Sequence, residues 1–94
     1  MNPTEENRLA AGRACGQPVT HLESVPVVET FRGQVMWDGI VEVYAVPTPP
    51  PARVYGWTED GPSGEPQYIA ILGVPPINSP LDAVRAWLVS QIRK

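Results

Sequence analysis

The chain has 94 residues, 43% of them apolar, with seven Lys and Arg against ten Asp and Glu and a formal net charge of −3. That length predicts one domain spanning residues 1–94. The basic residues Arg8, Arg13, Arg32, Arg53 and Arg85 are scattered, whereas phosphate binding leaves a clustered basic footprint, so the composition argues against nucleic acid as a partner.

One cysteine, Cys15, precludes an internal disulfide, and with His21 as the lone histidine there is no four-ligand Cys/His zinc site within one chain. No metal or other cofactor is expected. The opening "MNPTEENRLAAGRACG" lacks the apolar core of a signal peptide, and no stretch approaches a membrane span. The expected setting is therefore a reduced, cytoplasmic compartment.

Residues 3–12 carry a short helix signal: Thr4 as cap, Glu5 and Glu6 at the positive end of the dipole, and Gly12 as the stop. Its apolar content is only Leu9, Ala10 and Ala11. From Arg13 to Ser24 no period is visible, and Val19 and Leu22 are the residues placed to tack this segment to the body. Residues 1–24 are thus expected as a loosely structured N-terminal segment.

Four strand-like runs occupy 25–74. "VPVVETF" (25–31) is β-branched but contains Pro26, which marks an edge strand or a strand start. Arg32-Gly33 is a two-residue hairpin loop. "QVMWDGIVEVYAV" (34–46) is about twice the common strand length, so a bend is expected, with Asp38-Gly39 as its place. "PTPPPA" ends it. "RVYGWTE" (53–59), the turn "DGPSGEP" and "QYIAILGV" (67–74) follow. Ser79 as N-cap, Pro80 at the first helical position and Asp82 three after the cap then open an amphipathic helix over 79–93. Leu81, Val84, Leu88 and Ile92 fall on one face, Trp87 lies at its edge, and Arg93 and Lys94 suit its C-terminal end. The fold class is α+β: a four-stranded, mostly antiparallel meander with the C-terminal helix packed across it and a short helix before it.

The long strand carries apolar side chains in both directions. With Phe31 opposite Gln34 and the bend at Asp38-Gly39, one face gathers Val28, Thr30, Val35 and Trp37, continued by Val41, Val43 and Ala45. The other gathers Val25, Val27, Glu29, Phe31, Gln34, Met36 and Asp38, continued by Ile40, Glu42 and Tyr44. One face is the floor for the C-terminal helix. The second needs another cover: residues 1–24 folded over it, a second copy of the chain, or a ligand or different protein.

No catalytic constellation is expected. Asp38 and Glu42, four apart and near Glu29 across the hairpin, form the nearest thing to a carboxylate pair, but no histidine, lysine or metal-ligand cluster accompanies them. Cys15 and His21 lack a third, orienting group. The Pro-x-x-Pro spacing at 47–51 is explained by a stiff connection, and "GPSGEP" is a turn without the features of a phosphate loop. The aromatic residues lack the signature of an RNA-binding sheet and suit a core or an interface.

The leading expectation is a non-catalytic interaction module. It would bind a protein partner or form a homodimer through the mixed face, with Phe31, Met36, Ile40 and Tyr44 as contacts and Trp57 at the rim. The alternative is a small-molecule binding protein or enzyme with a pocket between sheet and helix, anchored by Asp38 or Glu42.

Overall fold

The computed structural model describes residues 3–47, 52–74 and 76–92. Its elements are α1 (Pro3–Cys15), β1 (Thr20–Phe31), β2 (Gln34–Val46), β3 (Ala52–Asp60), β4 (Pro66–Gly73) and α2 (Pro80–Ile92). The strands form one open antiparallel sheet in the order β1-β2-β3-β4, so the molecule is α+β as expected. No helix among the described residues is long and apolar enough to cross a membrane. Most of the Pro-x-x-Pro stretch, and Arg93 and Lys94, lie outside the described residues.

The N-terminal segment is better ordered than its composition implies. α1 runs through Gly12 to Cys15, and Gly16 takes the left-handed conformation (φ 74°) that closes a helix C-terminus. The Gln17 N–H reaches back to the Gly12 carbonyl at 3.1 Å, and the helix begins at Pro3, ahead of the expected Thr4 cap. β1 starts at Thr20, five residues earlier than predicted, because "THLES" pairs with the far end of β2.

Each helix covers a different face of the sheet. On one face α2 completes a core of Val27, Val41, Val43, Tyr55, Trp57, Ala83 and Val84, flanked by Trp37, Leu81, Trp87 and Leu88. Three indoles meet edge to face there: Trp57 lies 5.6 Å from Trp37 and 5.9 Å from Trp87, an arrangement the ring quadrupoles favour. Ser79 caps α2 as predicted, its hydroxyl accepting the Asp82 N–H at 3.1 Å, while the Asp82 carboxylate accepts the Asn78 N–H at 3.1 Å.

On the opposite face α1 packs over β4, β3 and the end of β2, burying Ala11 with Val19, Tyr44, Val46 and Val54. The helix approaches closely because Gly56 has no side chain. A Cβ there would lie 2.3 Å from Asn7 Oδ1. That oxygen instead accepts the Tyr44 hydroxyl at 2.9 Å, in a site where Asn7 is 2% exposed.

The bend in β2 is not at Asp38-Gly39. Glu29 stands opposite Trp37 and Thr30 opposite Val35, so Met36 is the extra residue of a bulge. Gly39 serves another purpose: a Cβ there would lie 2.9 Å from Trp37 Cη2, so the glycine makes room for the indole two residues before it. Moving the bulge corrects the faces. Trp37 stays with Val41 and Val43 under α2 and is joined there by Val27 and Glu29, while Val28, opposite Asp38, falls on the face of Ile40.

Candidate functional site

The β1–β2 hairpin outgrows its sheet. β3 pairs with β2 only over Glu42 to Val46, so residues 34–41 of β2 pair with β1 alone. They form a two-stranded arm that ends in the Arg32-Gly33 turn, where both φ angles are positive (52° and 77°). A two-stranded ribbon is marginal in water by itself and needs packing on at least one face. α2 supplies that on one side through Leu81, Trp87 and Leu88.

The cover stops short of the arm's end. Between the tip and the last turns of α2 lies an open cleft of about 450 Å³, walled by Phe31, Met36, Leu88, Val89 and Ile92. Phe31 is 60% and Ile92 77% exposed, large values for such apolar side chains. The Arg32 guanidinium lies 5.2 Å above the Phe31 ring. Glu29, also in the cleft wall, is ion-paired to Arg85 of α2, and the guanidinium lowers the Glu29 pKa below its ordinary value. On the reverse side of the arm Val28, Val35 and Ile40 are exposed, beside Pro26 and Asp38.

The expected contact residues are therefore divided among three places. Phe31 and Met36 meet in the cleft. Ile40 is half exposed on the reverse side. Tyr44, on the same face as Ile40, lies under α1 with no exposure; its burial, with the charge of Glu42 adding, pushes its pKa up to about 12. Trp57, placed at the rim from sequence, is 2% exposed at the centre of the indole cluster.

The alternative anchors do not line a pocket against α2. Asp38 is exposed opposite Val28, on the face away from that helix, and Glu29, expected nearby, points to the other face beside Arg85. Glu42 is engaged by β1: His21 Nε2 lies 2.7 Å from its Oε1, and the Ser24 hydroxyl donates to the same oxygen. Sequence reasoning missed this Ser-His-Glu group because residues 20–24 were read as a connection.

That group resembles a catalytic triad only in its residue types. In a triad one imidazole nitrogen faces the nucleophile and the other faces the orienting acid. Here the same nitrogen meets Glu42 and, at 3.5 Å, Ser24, while the serine proton is directed to the carboxylate. Cys15 is half-buried beside the Ala11–Tyr44 core, and burial raises its thiol pKa, the opposite of an activated thiolate. Among the described residues no group of three or more His, Cys, Asp and Glu side chains converges as metal ligands would.

Val89 and Ile92 of the cleft were missed for another reason. Their helical spacing assigned Ile92 to the core, and spacing cannot show that α2 reaches beyond what the arm covers. No protein-family profile, curated protein or solved structure matches this chain.

Proposed function

We propose that the protein is a non-catalytic interaction module whose contact element is the β1–β2 arm with the cleft beside it. One observation carries this reading: the arm exposes large apolar side chains on both faces, in a chain that buries comparable ones elsewhere. Contiguous apolar surface of this kind marks protein contact sites, and Phe, Met and Ile around a charged pair fit the anatomy of an interface core with a polar rim. The partner is a protein that inserts an apolar side chain into the cleft, beside the Glu29–Arg85 pair.

The test places a photo-crosslinking amino acid at position 31 in living cells. A discrete protein adduct is expected. It should vanish with Met36→Asp or Ile92→Asp and persist with Glu65→Ala, which lies in the distant β3–β4 turn. The isolated partner should then bind the Met36→Asp protein at least tenfold more weakly. No discrete adduct, or one indifferent to the cleft substitutions, would overturn the reading.

A further inference from the structure

The sheet has two edges, and they are built differently. β1 carries the devices that keep an edge from pairing: Pro26 in mid-strand, the charges of Glu23 and Glu29, and register shifts near both ends. β4 carries none of them. Its sequence PQYIAILG has no charged residue and no proline after the first position, and its register with β3 runs unbroken from Pro66 to Gly73.

The main-chain groups of β4 are also set for pairing. Pro66, which has no N–H, stands opposite Asp60. Ladder bonds alternate along an antiparallel pair, so Gln67, Ile69, Ile71 and Gly73 turn their groups to β3. The close packing of Gly73 on the Arg53 carbonyl, 2.8 Å from the position of a Cβ, fits that phase. Tyr68, Ala70 and Leu72 are left with N–H groups aimed outward.

We infer that β4 pairs antiparallel with β4 of a second copy of this chain, joining two sheets into one of eight strands. Closure favours a second copy over other occupants. An antiparallel pair related by a two-fold axis is self-complementary, and its axis stands perpendicular to the sheet, so each face continues across the junction. The outer edges of the joined sheet are then both β1, the protected kind, and growth stops at two chains. Pairing of β4 with β1 would instead propagate, and Pro26 blocks it.

The register follows from the alternation. Residues facing each other must share a face, and pairing the whole strand centres the axis on Ala70. Ala70 then meets Ala70 of the second copy, Tyr68 meets Leu72 on the α1 face, and Ile69 meets Ile71 on the α2 face. This forms about six main-chain hydrogen bonds across the axis, within the range of an ordinary protein interface. A charge-free edge also spares two chains of net charge −3 any like-charge contact along the junction. The pairing is independent of the arm and its cleft.

The test combines solution mass with residue-resolved amide exchange on the unmodified protein. Light scattering should give twice 10.3 kDa as concentration rises. Over the same range the Ala70 and Leu72 amides should slow at least tenfold, while those of the arm keep their rates. Ala70→Pro removes the N–H at the axis without touching the bonds to β3, and should yield a folded single chain. Three outcomes would each overturn self-pairing: one-chain mass at every concentration, a dimer whose Ala70 and Leu72 amides exchange freely, or a folded Ala70→Pro protein that still dimerises. The first of these would leave the edge to a strand from a different protein. The exchange readout stands without the variant if Ala70→Pro fails to fold.

Discussion

Tyr44 and Ile40 lie four residues apart on β2 and face the same way, yet Tyr44 has no exposure and Ile40 is 50% exposed. The difference is one of reach. A helix of 13 residues, such as α1, is about 20 Å long. A strand of 13 residues, such as β2, rises more than twice as fast per residue and runs most of the molecule's 39 Å length. α1 therefore covers one end of the face and leaves the other. On the opposite face α2 lies over the arm but offers only partial cover at its tip. What separates a core position from a surface position here is the length of the covering element, with hydrophobicity much the same at both.

The largest test of that comparison is truncation at its two ends. Tyr44→Ala should remove a buried ring and leave Asn7 without its donor, costing about 3–5 kcal/mol. A domain of this size has roughly 5–14 kcal/mol in total. Ile40→Ala should stay within about 1 kcal/mol, since the side chain is half in water already. Urea unfolding midpoints of the two variants measure the gap. Similar losses at both positions would mean that the arm's reverse face contributes to the core.

Much of this architecture was legible in the sequence. β2 was bounded at both ends, as Arg32-Gly33 and the prolines after Val46 leave little choice. Ser79-Pro80 fixed the start of α2 to the residue. Legibility failed where a long-range contact decides. A glycine after an aspartate reads as a bend, and nothing local shows that Gly39 accommodates the Trp37 indole while the bulge falls at Met36. That single displacement moved Val28 to the face of Ile40 and brought Val27, Glu29 and Phe31 onto the face of Trp37 and Val41. It scattered the expected contact surface, of which Phe31 and Met36 remain together. α1 was underrated because its buried side chains are Asn7 and Ala11, too small and polar to show an apolar stripe, and their packing depends on the gap at Gly56.

A second prediction separates the two ends of β2 by pH. The folded protein keeps the Tyr44 phenol protonated to about 12, against 10.0 for an exposed tyrosine. Unfolding releases that proton earlier, so the stability linked to it is complete below pH 10 and falls as pH rises toward 12. Two pKa units set a ceiling of about 3 kcal/mol on the loss over that window. Tyr55, also raised by burial, acts in the same direction. Tyr44→Phe should cost about 1 kcal/mol near neutrality and flatten the alkaline slope. Denaturation at pH 8, 10 and 11.5 reads both effects. An unchanged slope in the Phe variant would place the alkaline transition outside the α1 contact.

The smallest effect belongs to the arm, and it should be visible in local motion before it is visible in stability. Glu29 and Arg85 tie β1 to α2 by an ion pair that is partly solvated, and such pairs contribute little to global stability. Arg85 holds the Glu29 pKa below 4.5, so the pair is fully formed above that pH and is lost as pH falls through the lowered value. Arg85→Gln should return the Glu29 titration, followed by NMR, toward 4.5. It should also speed amide exchange in Val28 to Phe31 while leaving the exchange of Val43 to Val46 unchanged, because the latter residues lie in the sheet that both helices cover. Equal acceleration in both stretches would mean that the arm and the covered sheet open as one unit. Acceleration confined to the arm would show that the residues bordering the cleft open independently, at a free energy well below that of global unfolding.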